Sequence, residues 1–573
     1  MSFLDDVNRI LRDHEGYTGP DGQYPLPIGN WTTARKPIDK KDLRQLLGVF
    51  DEGATAAQGI IDAAGPVAIV AERVAMDADI EATVGPGGDF ATINAALTAL
   101  STRVAREYQA GGLTANVRLL SGFTMAEQVI VSNGLDLSWI TIISDAAEVP
   151  VDASAITVPL SAPDSLIPIF GARNSSVLPT IGAKFAFPDN THGKDGVAVI
   201  IGSRVRFLPG GNGVVRARNG LKVLYGSEAV CYIPGLVIGG DGTGAGTTRG
   251  VDFSYAANRA LHVAHGSRAY LARGDFRHAG GDMAVYVIWK SHADLYQSTA
   301  ANAAGTAYLV RDDSTANCRE SEAAGAGSNG YHAIHLGRIN ARSRPIGQIP
   351  WVGQGAIGCG GYAVLANDNS YIAADSLDCD LCTGSAAVSS SQGSLVTFTN
   401  GRATNATARA IWADAGEVAA AGAVCTGAIT NGVVAQNGGK VTGAGINVSG
   451  AADKGLLALG GGEIIAPGVI ANNCATAIEA RDGMINIRGG SAQNATVRAL
   501  SVIDGGELHC MDATTAGATA FHLTVRGGGI VKAANYKGAI DLRDGGGIVF
   551  NYGGTGSTSQ PVNTQTSSGV IYR

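Results

Sequence analysis

The chain has 573 residues and a formal net charge of −7, and only 16% of its residues are charged. It carries no basic stripe, which argues against a nucleic-acid partner. No apolar run reaches the ~18 residues that a membrane-spanning helix needs, so we expect no membrane insertion. The eight cysteines include one CxxC pair, Cys379 and Cys382, but no second pair that would complete a metal site. We therefore predict interior thiols, no metal and no cofactor.

Residues 1–80 differ from the rest of the chain. Ser2 can cap a short helix with Leu4, Val7 and Leu11 on one face, and a Gly/Pro-rich stretch separates it from further short helical segments. These elements bury too little apolar surface for a large core of their own. The sequence therefore predicts a small helical and extended anchoring module over residues 1–80.

Residues 81–110 are predicted to hold a leading segment and a capping helix. Asp89 or Thr92 can cap this helix, because either side chain can accept a hydrogen bond from a free backbone N–H. The apolar residues that recur at helical spacing are Ile93, Leu97, Leu100 and Val104. We expect the helix to cover the open end of the β-structure that follows, where unpaired strand groups would invite aggregation.

Glycine recurs every 21 to 23 residues in the C-terminal half, and an apolar residue such as Val418, Val441 or Ile464 follows two positions later. The glycines are Gly393, Gly416, Gly439, Gly462, Gly483, Gly506 and Gly529. A fixed period of this length indicates a stacked repeat. A leucine-rich-repeat core is absent, and the coil is too long for the left-handed hexapeptide type. The sequence thus predicts an all-β fold, a right-handed parallel β-helix over residues 111–550, followed by a C-terminal tip over residues 551–573.

The run Gly-Gly-Asp-Phe-Ala-Thr-Ile-Asn-Ala-Ala-Leu at residues 87–97, placed before a Gly/Ser-turned β-helix, resembles the pectate-lyase-like superfamily. The helical module in front of it is similar to phage tailspikes and tail fibres. The resemblance implies a homotrimer on the surface of a virion or phage-like particle, such as a gene transfer agent, synthesised in the bacterial cytoplasm. It further implies attachment to a tail or baseplate component through the N-terminus and binding of a bacterial surface polysaccharide. Pectin methylesterases share the opening motif, but the Gln-Asp pair and the Asp-Phe-Ile-Phe-Gly stretch of their active sites are missing.

The segment from residue 275 to residue 322 is the richest in side chains suited to carbohydrate. Glycoside hydrolysis needs two carboxyl groups roughly 5–10 Å apart, and neighbouring coils of a β-helix can supply them. If the protein is an enzyme, the predicted catalytic residues are Asp275, Asp282 and Asp294. The predicted glycan-binding residues combine aromatic, basic and imidazole side chains; they are Tyr286, Trp289, Arg277, His262, His335 and Trp351.

Three of these residues, His262, Tyr286 and His335, are predicted to share one outward-facing column, with His262 and Tyr286 about 5 Å apart. Three hypotheses on function remain open from the sequence. The chain is a receptor-binding tail fibre or tailspike, a capsule or lipopolysaccharide depolymerase (glycoside hydrolase or polysaccharide lyase), or a purely structural fibre shaft.

Overall fold

A computed structural model describes residues 74–75, 78–101, 103–104, 113–160, 166–233, 248–343, 355–519, 521–534, 540–543, 547–552, 562–565 and 570–572. The predicted N-terminal module falls almost wholly outside the described residues, and so does Trp351. The chain divides into two compact units, Met1–Val74 and Ala75–Arg573. Nearly all described residues belong to the second unit.

The second unit is an all-β parallel solenoid of the right-handed type with about 17 turns, which confirms the predicted fold class. Each coil contributes one strand to sheet A and one to sheet B, and strands of adjacent coils pair in parallel. A third side, called side C, is a short sheet near the N-terminal end and continues as single parallel bridges.

Sheet A holds the longer strands, most of them five or six residues. Its strands are Val129–Val131, Pro168–Ala172, Asp195–Ile200, Asn219–Leu224, Arg259–Ala264, Met283–Val287, Thr306–Arg311, Tyr331–Ile334, Val364–Ala366, Ala386–Ser391, Arg409–Asp414, Asn431–Gln436, Lys454–Leu459, Thr476–Arg481, Arg498–Ile503, Phe521–Arg526, Ile540–Arg543 and Val562–Gln565.

Sheet B is built mainly from three-residue strands. Its strands are Ile80–Val84, Ala115–Leu119, Ile140–Ser144, Thr180–Gly182, Arg204–Phe207, Glu228–Cys231, Arg268–Tyr270, His292–Asp294, Thr315–Asn317, Arg338–Asn340, Tyr371–Ala373, Leu395–Thr397, Glu417–Ala419, Lys440–Thr442, Glu463–Ile465, Met484–Asn486, Glu507–His509, Gly529–Ala534, Gly547–Tyr552 and Val570–Tyr572. The strands of side C are Val149–Pro150, Lys184–Ala186, Asn212–Val215 and Val251–Asp252. Two short strands, Val74–Ala75 and Arg103–Val104, and a 3-10 turn, Ala153–Ala155, lie outside these three sheets.

The core consists of like side chains stacked from coil to coil. Val418 pairs with Val441, and Val441 pairs with Ile464, so the predicted column is confirmed. All three side chains are fully buried. The repeating glycine has a steric reason, since a Cβ on Gly439 would lie 2.3 Å from the carbonyl oxygen of Ala413. Only glycine lets the turn pass this close to the backbone of the preceding coil.

A single α-helix among the described residues, α1, spans Ile93–Ser101 and buries Ile93, Ala96, Leu97 and Leu100. The Thr92 hydroxyl accepts a hydrogen bond from the Ala95 N–H at 3.1 Å. Of the two predicted caps, Thr92 is therefore the one that caps the helix. The Glu127 carboxylate accepts hydrogen bonds from two further N–H groups at the start of the helix, those of Ile93 and Asn94. Asp89 instead binds the Thr83 hydroxyl.

The prediction that Val104 belongs to the buried face of α1 is wrong, because the helix ends at Ser101 and Val104 lies in a short strand. The solenoid begins before the predicted boundary, since Ile80–Val84 pairs with Ala115–Leu119. At the other end, Val570–Tyr572 still pairs with the preceding coil. In the part of the chain that the structure describes, no helix is both long and apolar enough to cross a bilayer.

Candidate functional site

The turn that joins sheet A to sheet B, called the AB corner, recurs along the solenoid, and in the middle coils it is held by buried serines. The backbone N–H of Ser203 donates to the hydroxyl of Ser227 on the next coil at 3.1 Å, and that of Ser227 donates to Ser267 at 3.2 Å. The N–H of Ser291 donates to Ser314 in the same way. These bonds stack successive AB corners above one another, so the residue just before each turn points outward in a continuous column.

That outward residue has a left-handed backbone conformation. In the C-terminal coils it is a residue type that tolerates positive φ, such as Asn437 (φ 52°) or Asp504 (φ 52°). In the middle coils it is Tyr225 (φ 56°), His265 (φ 57°) and Trp289 (φ 56°). Left-handed backbone costs an ordinary L-residue about 1–2 kcal/mol. Bulky side chains at such positions need a reason other than stability, and strained residues of this kind cluster at functional sites.

The three aromatic residues form one stack, which we call the ring ridge: Tyr225, His265 and Trp289. The ring centroids of Tyr225 and His265 are 4.3 Å apart with planes 10° from parallel. Those of His265 and Trp289 are 4.2 Å apart with planes 30° from parallel. Trp289 nevertheless remains 46% exposed. Aromatic rings exposed on a rigid turn are uncommon on soluble proteins and point to a binding surface.

The next three coils place polar residues at the same position: Asp312, His335 and Asp368. The imidazole of His335 lies between two carboxylates, with Nδ1 3.2 Å from Asp312 Oδ1 and Nε2 3.1 Å from Asp368 Oδ2. Arg311 donates to the other oxygen of Asp312 at 3.1 Å. This acidic column continues the ring ridge in line, because all six residues occupy equivalent positions on successive coils.

A recess of about 800 Å³ lies where the ring ridge meets the acidic column. It is lined by His265, Gly266, Trp289, Lys290, Asp312, Asp313, His335, Leu336, Asp368 and Asn369. One face of the indole of Trp289 is covered by His265, and among the described residues no ring stacks on the other face. An apolar wall beside carboxylate and imidazole groups suits a pyranose ring, which offers C–H groups on its faces and hydroxyl groups at its rim. Within the described ranges no three His, Cys, Asp or Glu side chains are arranged to hold a metal ion.

The predicted pairing of His262 with Tyr286 is confirmed, with ring centroids 5.1 Å apart. Both side chains lie on the outer face of sheet A, and the guanidinium of Arg259 sits 4.8 Å above the Tyr286 ring. The pKa of His262 is lowered to about 3, mainly by burial and then by Arg259 and Lys222. Neither imidazole nitrogen finds a hydrogen-bond partner. This side chain is therefore an uncharged packing element.

The prediction that His335 shares this column is wrong. Leu309 pairs with His332, so His332 fills the outward position on that coil. The inward residue there is Tyr331, which pairs with Tyr308. The sequence pair Ala333-Ile334 predicted a register three residues too late, because Tyr331 and not Ile334 is the inward residue. His335 instead lies at the AB corner, two coils from Trp289, and lines the same recess.

The three predicted catalytic carboxylates lie on different sides of the coil. Asp275 is on side C and is bound by the guanidinium of Arg277, with Nε 2.9 Å from Oδ1. Asp282 is exposed and precedes a strand of sheet A. Asp294 is at the end of a strand of sheet B. The structure does not bring them together within one chain, and it places Arg277 beside Asp275 rather than beside the ring ridge.

Side C carries a different pair of acidic groups. Glu322 pairs with Gly355 on the next coil, and the N–H of Ala356 donates to the carbonyl of Asp378 on the coil after that. Glu322 and Asp378 therefore flank a position without a side chain, about 10 Å apart at ~4.8 Å per coil. Burial raises the pKa of both carboxyl groups, and Asp380 adds to the effect at Asp378.

Tyr225, His265 and Asp368 are site residues that the sequence reasoning missed, and Asp312 fell within the predicted segment 275–322 without an assigned role. Their signal is present in the sequence, because a residue that precedes a Gly-Ser or similar turn occupies the outward corner position. Tyr225-Gly226-Ser227 and His265-Gly266-Ser267 show this pattern. No protein-family model matches the chain, and no curated protein is significantly similar to it in sequence.

Proposed function

We propose that the chain is a receptor-binding subunit of a phage-like tail fibre or tailspike, and that it binds a bacterial surface polysaccharide. The observation that carries this proposal is the ring ridge of Tyr225, His265 and Trp289, which runs into the acidic column along one edge of a rigid solenoid. Binding residues on turns that a rigid scaffold positions are a common arrangement.

The backbone strain supports a binding role over a purely structural one. A structural shaft would keep Asn, Asp or Gly at the AB corner, as the C-terminal coils do at Asn437 and Asp504. Three consecutive coils instead carry aromatic side chains in the left-handed region. Since exposed aromatic groups on a solenoid stabilise little, the strain is best explained by a ligand that uses these rings.

The assembly remains part of the proposal. The chain is a homotrimer whose N-terminal 80 residues attach to a tail or baseplate component of a virion or phage-like particle. Its support is the long solenoid, which is compatible with a fibre or spike, together with the resemblance of the opening motif and the N-terminal module to such proteins. Light scattering of the purified full chain tests the trimer, and a compact monomer would contradict it.

Binding is tested with purified full-length protein on whole bacteria of candidate hosts and on their extracted polysaccharides. Trp289→Asn removes the indole and keeps a residue suited to positive φ. The matched control is Leu381→Asn, because Leu381 is also an exposed left-handed residue (54% exposed, φ 61°) but lies on another corner. We expect Trp289→Asn to lose at least tenfold in affinity and the control to bind like the wild type.

A second candidate function is a polysaccharide depolymerase, which Glu322 and Asp378 favour. Two coils separate them, about 10 Å, which is near the ~6.5–9.5 Å between the carboxyl groups of inverting glycosidases, and Gly355 between them carries no side chain. Burial raises the pKa of each carboxyl, as a general acid requires. A lyase on the same scaffold is tested in the same assay.

The enzyme hypothesis is tested by incubating the protein with a bound polysaccharide and measuring new reducing ends and unsaturated uronate absorbance. Loss of product in Glu322→Gln or Asp378→Asn would assign the reaction to side C. Asp275→Asn and Asp294→Asn test the residues predicted from the sequence. Binding without any product would support a receptor-binding protein alone, and absence of both binding and product would support a structural shaft.

A further inference from the structure

A second, smaller pocket opens on the outer face of sheet B, away from the recess at the AB corner. Its volume is about 270 Å³, and its lining residues are Val230, Cys231, Tyr232, Ile233, Tyr270, Ala272 and Asp294. The volume is just below the ~300–1,000 Å³ of pockets for drug-sized ligands, so it suits one sugar ring or a smaller group. Asp294 supplies the only charge among these residues.

The carboxyl group of Asp294 is the end of a ladder of polar side chains. Asn317 on the next coil donates from Nδ2 to Asp294 Oδ1 at 3.1 Å, and Asn340 donates to Asn317 at 3.4 Å. The backbone N–H of Tyr296 also donates to this carboxyl. The amides all point their N–H groups toward Asp294, which favours the ionised form, and the ladder holds the side chain in one orientation.

The imidazole of His292, two residues before Asp294, acts on this carboxylate through space, but burial lowers the pKa of His292 and favours its neutral form. Among the described residues, Asp294 forms no ion pair with Lys, Arg or His, although many other acidic groups of the solenoid do. Partial burial withdraws the Asp294 carboxylate from water and raises its pKa. A carboxylate can accept about four hydrogen bonds, so capacity remains on the side that faces the pocket. A half-buried, unpaired carboxylate is costly, and a cationic ligand offsets that cost.

The pocket walls are suited to a cation with an apolar body. Tyr270 lies directly beside Asp294 on the preceding coil, and Tyr232 is 69% exposed at the rim. Aromatic faces attract ammonium groups by about 0.5–2 kcal/mol. Ile233 and Ala272 provide a buried apolar floor. Carboxylate, aromatic rings and apolar floor together select a compact ammonium-bearing ring over a neutral or acidic one.

We propose that this pocket binds a sugar with a free amino group, and that the ammonium pairs with Asp294. This inference rests on the proposed function, since it names a second subsite for the same receptor glycan. Trp289 and Asp294 lie on one coil, five residues apart, so they are separated by at most about 17 Å at ~3.3 Å per residue. A glycan that occupies both places crosses the outer face of sheet B, over His292.

The test uses ligand-observed saturation-transfer NMR on the full chain with three probes. The probes are glucosamine, N-acetylglucosamine and Nα-acetyl-lysine. We expect glucosamine to show the strongest contact, N-acetylglucosamine at least fivefold less because acetylation removes the charge, and Nα-acetyl-lysine less because it lacks the ring. Equal signals for glucosamine and N-acetylglucosamine would overturn the proposal, and so would a stronger signal for the lysine derivative.

Two variants locate the contact. Asp294→Asn keeps the shape of the side chain, and Tyr270→Leu removes the ring without touching the ladder. We expect each to weaken glucosamine binding at least fivefold, with Leu381→Asn as the unaffected control. Unchanged glucosamine binding in both variants overturns the proposal that glucosamine binds in this pocket. Because the probes report on the pocket directly, cell binding that depends on Trp289 but not on Asp294 would overturn this inference and leave the proposed function standing.

Discussion

The indole of Trp289 stacks on the imidazole of His265, with centroids 4.2 Å apart, although both residues have a backbone conformation that side chains of this size rarely adopt. The stack contributes about 0.5–1.5 kcal/mol. The left-handed backbone at two residues costs more than that. The pair is therefore not explained by stability, and its exposed ring is available to a ligand.

The first prediction separates binding from stability at this pair. Trp289→Asn loses the ring contact but relieves the backbone strain, so we expect its free energy of unfolding to stay within about 1 kcal/mol of the wild type. Asp482→Gly, at an exposed AB-corner position with φ 48°, is the control for changes at this corner. Urea unfolding followed by circular dichroism measures both. A loss of several kcal/mol in Trp289→Asn would mean that the indole is structural.

The second prediction concerns the glycine period. A Cβ on Gly439 would collide with the Ala413 carbonyl, whereas the neighbouring Gly438 (φ 75°) has open space around it. We expect Gly439→Ala to destabilise its coil by more than about 3 kcal/mol and Gly438→Ala by about 1 kcal/mol. Hydrogen exchange at the amides of Val418, Val441 and Ile464 reports the local effect. Equal protection in the two variants would contradict the steric explanation.

The third prediction is a pH dependence of stability. The pKa of His262 is lowered to about 3 and that of His332 to about 4, chiefly by burial. The unfolded chain takes up these protons near the ordinary value of 6.5, before the folded chain does. The stability is thus complete above about pH 6.5 and falls as the pH drops toward 4, by up to about 1.4 kcal/mol per pH unit for each histidine.

Urea-unfolding midpoints measured at several pH values check this dependence. The double variant His262→Gln and His332→Gln should show a shallower fall between pH 6.5 and 4.5 than the wild type. Leu365→Gln, which changes a non-titrating neighbour of His332 on the same column, should keep the wild-type fall. A double variant with an unchanged slope would show that other groups dominate.

The fourth prediction concerns the thiols. All eight cysteines are free and buried. Burial raises the pKa of Cys231 and of Cys510 to about 12, so very little thiolate forms at neutral pH. We expect the folded protein to react slowly with an aromatic disulfide reagent and the urea-unfolded protein to react at once with all eight thiols. Fast reaction of the folded chain would indicate open coils.

The repeat was predictable because its cause is local. Each coil has nearly the same length, so Val418, Val441 and Ile464 fall into one column wherever the spacing holds. Register was predictable only where the coil is regular. On the coil of Tyr331 the sequence offers two small-then-apolar pairs, Gly330-Tyr331 and Ala333-Ile334, and packing of Tyr331 on Tyr308 decides between them.

The ring ridge was not predicted because its members are unevenly spaced in the sequence. Tyr225 and His265 are 40 residues apart, whereas His265 and Trp289 are 24 apart. The pairing of Leu224 with Ala264 and the stacking of the corner serines show that Tyr225 and His265 are neighbours. The catalytic candidates, such as Asp275 and Asp282, were chosen because charged residues are dense in that segment. They lie far apart in the fold because a coil has three sides, and residues close in sequence can project from different sides.

The central claim is that the ring ridge binds a bacterial surface glycan, and affinity of the full-length protein for host polysaccharide tests it most directly. Surface plasmon resonance on immobilised polysaccharide, run with wild type, Trp289→Asn and Leu381→Asn, gives the comparison. We predict saturable binding for the wild type and the control, and at least a tenfold loss for Trp289→Asn. Equal affinity for all three proteins would contradict the account.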